Sequence, residues 1–205
     1  MSVKVKICGV TNVADALAAA EAGADMIGLN FYGGSPRHIT LPQAIEIHRA
    51  LPPFVLRVGV FVNPDEDLVL RALGDCGLSL LQFHGDEPSE FCTQFGAMSL
   101  KAFRIQNAES LTALEKYQTD AFLLDAHSKS GLGGTGETFN WDLAVEAQKF
   151  GKPIFLAGGL TPENVADAVR QVQPFAVDVS SGVESAPGKK DVAKVRAFIA
   201  AARTV

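Results

Sequence analysis

The stretch Val3-Lys4-Val5-Lys6-Ile7-Cys8 (VKVKIC, residues 3–8) begins the ordered pattern of this chain and runs into Gly9. Its apolar residues alternate with Lys4, Lys6 and Cys8, and a period of two residues is typical of a β-strand. Ligands of α/β proteins bind at the carboxyl ends of the strands. The stretch therefore predicts a first strand that carries Cys8, a candidate reactive thiol, at its functional end.

Strand-like and helix-like segments alternate along the whole chain and repeat about every 25 residues. No Pro-, Gly- or Ser-rich linker divides the sequence, so we expect one domain over residues 1–205. Eight βα units predict an α/β fold of the (β/α)₈ (TIM barrel) type, a closed eight-stranded parallel sheet with its ligand site at the carboxyl-terminal face. A doubly wound open sheet is the alternative, but no Gly-x-Gly-x-x-Gly follows the first strand. The eight strands are predicted at residues 4–8, 25–31, 56–62, 79–83, 100–104, 121–125, 154–157 and 175–179.

Two of the intervening helices begin at recognisable signals. Asn63-Pro64-Asp65 and Thr161-Pro162-Glu163 each offer a capping side chain followed by a proline in the first turn. The second helix, over residues 164–172, has one apolar stripe and is expected to bury it. A further helix is predicted over residues 107–117.

Composition and charge narrow the classes of function. Of the 205 residues, 47% are hydrophobic and 20% charged, as in ordinary globular proteins. The net charge of −5 gives no electrostatic footprint for nucleic acid or an anionic membrane, so the expected partner is a small molecule. No apolar run is long enough for a membrane span and no leader pattern precedes the first strand, which predicts a cytoplasmic protein.

The three cysteines have neither disulfide nor zinc spacing, so reduced thiols and no metal site are expected. Cys76 and Cys92 are predicted to be small buried apolar residues. Cys8 alone is a candidate for chemistry.

Three glycine- or serine-rich turns follow the last three predicted strands: residues 133–136, 158–159 and 180–182. Adjacent small residues let backbone N–H groups converge on an oxyanion, and barrel enzymes commonly bind phosphate after strands seven and eight. A single such turn would be explained by backbone conformation alone. The three together predict a phosphate site formed by Gly134, Gly158, Gly159, Ser181 and Gly182.

Asp125 ends the apolar sixth strand and should emerge at the same rim as Cys8. Taken singly, Asp125 could cap a helix and Cys8 could be a small hydrophobe. Together they are candidates for a general acid and a general base, since a thiol needs only modest help, for example from Lys6, to act as a base near neutral pH.

Arg37, His84 and Asp178 are the remaining candidates. Arg37 follows the second strand and could bind a substrate carboxylate bidentately, and His84 closes the fourth strand and could donate a hydrogen bond to substrate. Asp178 should point into the barrel, where a buried charge needs a partner, so we predict an ion pair with Lys6 or Lys4.

These residues resemble the phosphoribosylanthranilate isomerase family of tryptophan biosynthesis. The resemblance spans almost the whole chain, in order, and is carried by the segments at residues 6–11 (KICGVT), 31–32 and 35–37 (FY, SPR), 58–63 (VGVFVN), 82–85 (QFHG), 123–125 (LLD), 133–136 with 139–141 (GGTG, FNW), 157–160 (AGGL) and 175–184 (FAVDVSSGVE).

The resemblance implies an Amadori rearrangement of N-(5-phosphoribosyl)anthranilate without metal or organic cofactor. It makes Asp125 the general acid, Cys8 the general base and Arg37 the residue that holds the anthranilate carboxylate. The loop departs from the family pattern at Gly33-Gly34 and His38, so Arg37 is expected to become ordered only with substrate.

Three alternatives stay open: the histidine-pathway isomerase, indole-glycerol-phosphate synthase, or a noncatalytic phosphosugar-binding barrel. Cys8 disfavours the first, because aspartate is expected there, and the decarboxylating ring closure of the second needs other acid and base residues. The third would need no pair of Cys8 and Asp125. As an assembly, a monomer or weak homodimer is expected.

Overall fold

The computed structural model describes residues 2–126 and 141–204. Eight parallel strands close into a barrel in chain order, so the predicted (β/α)₈ fold is confirmed. All eight predicted strands are present, with ends within about two residues of those expected from β-propensity. The strands are β1 (Lys4–Cys8), β2 (Met26–Asn30), β3 (Leu56–Phe61), β4 (Leu80–Phe83), β5 (Met98–Ile105), β6 (Ala121–Ala126), β7 (Ile154–Ala157) and β8 (Ala176–Val179).

Helices surround the barrel, and a small hairpin that the sequence pattern did not predict follows β8. The hairpin pairs β9 (Glu184–Ala186) with β10 (Lys189–Lys190) in antiparallel fashion. Within the described ranges, no helix has both the length and the apolar character needed to cross a membrane. The helices are α1 (Val13–Glu21), α2 (Leu41–Ala50), α3 (Glu66–Asp75), α4 (Ser89–Thr93), α5 (Trp141–Ala147), α6 (Val165–Val172) and α7 (Val192–Ala202), with 3₁₀ turns at Ala108–Lys116, Gln148–Phe150 and Ser181–Val183.

Two apolar clusters hold these layers together. The larger fills the space between strands and helices and includes the stripe of α6, as predicted. The smaller fills the barrel with side chains from β2 to β8. On β1 the fully buried Lys6 takes the corresponding place, so the interior is polar between β8 and β1. The smaller cluster comprises Met26, Val58, Leu80, Leu100, Ala102, Ala121, Leu123, Phe155, Ala157 and Ala176.

The helix predicted over residues 164–172 is found within one residue of its expected start, whereas the helix after Asn63 begins later than its capping signal indicated. α3 begins at Glu66 after Asp65, and the Asn63 side chain instead accepts a hydrogen bond from the Asp86 N–H at 2.7 Å. α6 begins at Val165, because residues 162–164 form a turn before it. Loop contacts therefore use the polar groups that the capping pattern had assigned to the helices.

Candidate active site

A cavity of about 300 Å³ opens at the carboxyl ends of the barrel strands. Because all eight strands run parallel, residues far apart in the sequence meet at this end. Gly134 and the rest of the predicted turn at residues 133–136 lie outside the described residues. The cavity wall includes every other predicted site residue: Cys8, Arg37, His84, Asp125, Gly158, Gly159, Ser181 and Gly182.

Cys8 is half-buried in the cavity wall at the end of β1. Below it, the fully buried Lys6 donates a hydrogen bond to Asp178 Oδ1 at 2.8 Å. The predicted ion pair of Asp178 with a β1 lysine is thus confirmed, with Lys6 as the partner. Lys4 pairs instead with Asp25, at 3.0 Å near the protein surface.

Gly28 on β2 makes room for the thiol and the ammonium group. It stands opposite Cys8 in the parallel register. A Cβ at position 28 would lie 2.8 Å from Cys8 Sγ and 3.1 Å from Lys6 Nζ. Both atoms therefore share the space over Gly28, and the positive charge of Lys6 lies beside the thiol.

The surroundings of Cys8 nevertheless favour the neutral thiol. Burial raises the pKa of Cys8 above its ordinary value, and the lowering by Lys6 and Lys190 does not offset burial and the negative charge of Asp178. The expectation that Lys6 brings Cys8 close to ionisation is therefore wrong in its net direction. Although burial opposes it, Asp178 holds the pKa of Lys6 above its ordinary value, so the ammonium keeps its charge.

Asp125, near the end of β6, is partly exposed to the cavity and contacts a neighbouring histidine. His84 Nε2 lies 3.4 Å from Asp125 Oδ2, within reach of a polar contact. On the other side of the ring, Gln82 Nε2 lies 3.1 Å from His84 Nδ1. The buried Gln82, which sequence reasoning did not assign to the site, thus fixes the plane of His84 next to the predicted acid.

Arg37 is already engaged by a carboxylate. Its Nε and Nη2 donate to Glu184 Oε1 and Oε2 at 2.8 and 2.7 Å. The buried Lys190 donates to the same Oε1 at 2.8 Å. Glu184 thus offers Arg37 a partner within the protein itself, and the expectation that Arg37 becomes ordered only with substrate stays a prediction.

Sequence reasoning missed Glu184 and Lys190, and one signal could have found them. Pro187-Gly188 lies between them, and this dipeptide is a strong turn signal. A hairpin at that turn brings residues 184 and 190 opposite each other, as the register of β9 and β10 does. A buried carboxylate and a buried lysine would then be expected to pair.

The two described phosphate turns have the backbone groups that an oxyanion needs. Gly158 and Gly159 have φ angles of 86° and 66°, which favour glycine. The N–H groups of Gly158, Gly159, Ser181 and Gly182 donate to no other described residue. Unpaired N–H groups that line a cavity are ready donors to a phosphate. The predicted phosphate site remains a prediction, now with four available donors.

Metal ligands are not clustered in the part of the chain that the structure covers. There, no three His, Cys, Asp or Glu side chains lie close enough together to hold an ion. The cavity lining itself offers a thiol, two carboxyl groups, an imidazole, a guanidinium group and backbone donors.

Comparisons with known proteins agree with this geometry. The family model described as N-(5'phosphoribosyl)anthranilate (PRA) isomerase matches residues 5–201. N-(5'-phosphoribosyl)anthranilate isomerase of Geotalea uraniireducens is 55% identical over 200 residues, covering 98% of both chains. The enzyme of that name from Geobacter metallireducens is 54% identical over 201 residues, covering 98% of this chain and 99% of its own.

Solved structures give the same result. The phosphoribosyl anthranilate isomerase of Thermotoga maritima superposes with a TM-score of 0.93 at 42% identity, covering 99% of this chain and 100% of that one. A phosphoribosyl anthranilate isomerase in complex with reduced 1-(o-carboxyphenylamino)-1-deoxyribulose 5-phosphate gives a TM-score of 0.90 at 41% identity, with the same coverage. The chain therefore belongs to the N-(5'-phosphoribosyl)anthranilate isomerase family.

Proposed function

We propose that this protein converts N-(5-phosphoribosyl)anthranilate to 1-(2-carboxyphenylamino)-1-deoxyribulose 5-phosphate by an Amadori rearrangement, as a step of tryptophan biosynthesis. One observation carries the proposal: a thiol on β1 and a carboxyl group on β6 line the same cavity, and in its β7 and β8 wall four backbone N–H groups donate to no other described residue. An acid, a base and an anion site are what the reaction of a phosphosugar at a carbon next to nitrogen requires.

Asp125 acts first, as the general acid. It protonates the ribose ring oxygen while the C1′–O bond breaks, and the lone pair of the anthranilate nitrogen forms the C1′=N bond. The product is an open-chain iminium ion, and Asp125 is left as a carboxylate. His84 lies 3.4 Å from Asp125, so it can stabilise that carboxylate by a polar contact.

Cys8 acts second, as the general base. The iminium ion acidifies the C2′ proton, and its positive charge also favours loss of the Cys8 thiol proton to solvent, which leaves the thiolate. The thiolate takes the C2′ proton, the electrons of the C–H bond form C1′=C2′, and the π electrons of C=N return to nitrogen. The enolamine then tautomerises to the ketone by losing its O2′ proton and gaining a proton at C1′, so no external oxidant or reductant is needed.

Binding groups fix the sugar between acid and base. The backbone donors of Gly158, Gly159, Ser181 and Gly182 take the phosphate, and Arg37 takes the ring carboxylate on the β2 side. Holding both anions places C2′ near Cys8 and the ring oxygen near Asp125. No cofactor takes part in this scheme.

The experiment follows the anthranilate fluorescence of the phosphoribosyl substrate as it is consumed. The wild type should turn over, and Cys8→Ser and Asp125→Asn should each lower kcat by about 100-fold or more. A wild type without turnover would reject the proposal, whereas a fully active Cys8→Ser would reject only the assigned base.

Binding separates chemistry from folding. Both variants should retain affinity for the reduced product analogue in calorimetry, because neither substitution removes a phosphate or carboxylate contact. Binding without turnover by the wild type would favour the noncatalytic phosphosugar-binding barrel. Turnover of a different phosphosugar would favour another barrel enzyme.

Assembly and location complete the proposal: a monomer or weak homodimer in the cytoplasm, where the reducing environment keeps Cys8 as a thiol. A solved Thermotoga maritima relative is described as a dimeric phosphoribosylanthranilate isomerase in monomeric form, at 40% identity. Phe54, Met98 and Phe175 are exposed at the amino-terminal end of this barrel and would be buried in such a contact. Sedimentation at increasing concentration tests the assembly, and cell fractionation tests the location.

A further inference from the structure

Among the described residues, the guanidinium group of Arg37 is bonded along one edge. Nε and Nη2 donate to the two carboxylate oxygens of Glu184, at 2.8 and 2.7 Å. Nη1 donates to no other described residue. Arg37 lines the substrate cavity, whereas Glu184 does not. The carboxylate thus lies behind the guanidinium group as seen from the cavity, and the unoccupied edge can receive a ligand.

Glu184 is itself firmly held. It is buried on β9, and its Oε1 accepts hydrogen bonds from Lys190 Nζ at 2.8 Å and from the Gly188 N–H at 3.3 Å. Lys190 Nζ also donates to the Ser180 carbonyl at 3.2 Å, which ties the hairpin to the end of β8. Although burial opposes ionisation, the hydrogen bonds from Arg37 and Lys190 hold the pKa of Glu184 below its usual range.

The cluster of Arg37, Lys190 and Glu184 carries a net positive charge at its edge of the cavity. Arg37 and Lys190 each carry one positive charge and Glu184 one negative charge. Lys190 balances the negative charge of Glu184 on the side away from the cavity. The positive charge of Arg37 is therefore left to act on the cavity. A carboxylate ligand therefore meets a cation whose own partner is already compensated.

The aliphatic part of Arg37 is fixed as well. Gly9, with a φ angle of 71°, carries no side chain where Arg37 crosses it, and a Cβ there would lie 2.5 Å from Arg37 Cδ. Gly9 directly follows Cys8, so the arginine passes beside the proposed base. Both the stem and one edge of the guanidinium group are thus set before any ligand binds.

We propose that Glu184 is a positioning residue, which holds Arg37 so that its Nη1 edge faces the substrate and binds the carboxylate of the anthranilate ring. This rests on the proposed function, because the ring carboxylate belongs to that substrate. In the opposite role, Glu184 would compete with the substrate carboxylate for Arg37 and would have to be displaced before the substrate binds. The two roles differ in sign: removing a positioning residue weakens binding of the carboxylate, and removing a competitor strengthens it.

The test uses Glu184→Gln together with the double variant Glu184→Gln/Lys190→Met. The single change leaves Lys190 buried without its partner and is expected to reduce stability, whereas the double variant removes both charges. In the double variant, KM should rise about tenfold and kcat should change less than about threefold, because a ground-state binding contact is lost. Thermal unfolding serves as the check on folding.

The difference in affinity between two ligands distinguishes a positioning role from a purely structural one, which would weaken binding of both ligands equally. These are the reduced product analogue and its counterpart without the ring carboxyl group. Calorimetry should show about tenfold weaker binding of the first to the double variant and less than about twofold change for the second. In an Arg37→Met background the Glu184 and Lys190 changes should have no further effect on affinity.

Tighter binding of the carboxylate ligand would assign Glu184 as a competitor and overturn the proposal. Equal losses for both ligands, or losses that add to that of Arg37→Met, would overturn it in favour of a structural role. A wild type that binds the analogue with this dependence but turns over no substrate would reject the proposed function and leave the positioning role standing. A wild type that binds neither ligand would reject both.

Discussion

Two of the buried lysine–carboxylate pairs in the described part of this barrel share length and burial but little else. Lys6 pairs with Asp178 and Lys101 pairs with Glu87, both at 2.8 Å. All four side chains are less than a tenth exposed. Distance and burial alone would assign both pairs the same role, but the other partners of each pair separate them.

In the Lys101–Glu87 pair, both side chains make further hydrogen bonds to the backbone. Lys101 Nζ also donates to the Gly85 carbonyl at 2.6 Å, and Glu87 accepts from the N–H groups of Asn63 and Gly85 at 2.7 and 3.0 Å. These bonds join the loops after β3 and β4 to β5. The pair therefore acts as a structural connection between three strands of the barrel.

In the Lys6–Asp178 pair, the carboxylate can still accept further hydrogen bonds. Among the described residues Asp178 accepts a side-chain hydrogen bond from Lys6 alone, and it lines the cavity at the carboxyl ends of the strands. Lys6 lies beside the thiol of Cys8. In this barrel the pair whose acceptor faces the cavity is therefore available to chemistry, and the pair whose other bonds go to the backbone belongs to the scaffold.

The largest expected effect comes from breaking the Lys101–Glu87 pair. Lys101→Met leaves Glu87 buried without a cation, which should lower the free energy of unfolding by about 3–5 kcal/mol. Urea unfolding followed by circular dichroism measures it. Lys101→Met/Glu87→Leu should recover part of the loss, and a single variant as stable as the wild type would contradict the assigned structural role.

Breaking the cavity-facing pair should affect activity as well as stability, because Lys6→Met also leaves the buried Asp178 without its cation. Lys6→Met should lower kcat about 100-fold, because the positive charge next to the Cys8 thiolate is lost. The pH midpoint for alkylation of Cys8 by iodoacetamide should move upward, since Lys6 lowers the pKa of that thiol. Folded Lys101→Met is the matched control and should keep the wild-type midpoint for alkylation of Cys8. If Lys6→Met also kept that midpoint, Lys6 would have no part in the mechanism.

The thiols away from the cavity predict a smaller effect at alkaline pH. Burial raises the pKa of Cys76 to about 11 and that of Cys92 to about 12, the latter in spite of Lys101 nearby. Their stabilising contribution is complete below about pH 8.5, where the unfolded thiols also keep their protons, and declines as pH rises toward the folded values.

The expected slope of that decline is at most about 1.4 kcal/mol per pH unit for each cysteine. Urea titrations from pH 8 upward measure it, and Cys76→Ala/Cys92→Ala should show a flatter dependence than the wild type. An identical slope in this double variant would show that other groups cause the alkaline decline.

The smallest expected effect belongs to a third pair, at the surface. Lys4 and Asp25 lie 3.0 Å apart, but the Lys4 side chain is about half exposed. Lys4→Met should change the free energy of unfolding by less than about 1 kcal/mol, and added salt should shrink the difference further. A loss as large as that of Lys101→Met would mean that burial does not separate these pairs.

The sequence pattern predicted the barrel because each strand is a separate apolar run that its own residues define. Alternation on β1 also placed Lys6 and Cys8 on one face, and the parity of β8 pointed Asp178 inward, toward Lys6 or Lys4 as its partner. Strand ends then brought Cys8, His84 and Asp125 to one rim without knowledge of any contact.

Other parts of the site depend on contacts that no periodicity encodes. Glu184 holds Arg37 across 147 positions of sequence, and only the short hairpin after β8 brings the two together. The net pKa shift of Cys8 likewise depends on how burial balances several charges. Periodicity could place these residues in the right region but could not decide which of the opposing effects is larger.

Gly28 also constrains how this protein can diverge or be engineered. Any side chain there would push against Cys8 Sγ and Lys6 Nζ, although Gly28 itself bears no reactive group. A library that varies β2 for stability should therefore lose activity at position 28 while it tolerates change at neighbours that face the helices. Alanine at this position would be the smallest steric probe of the space that the thiol needs.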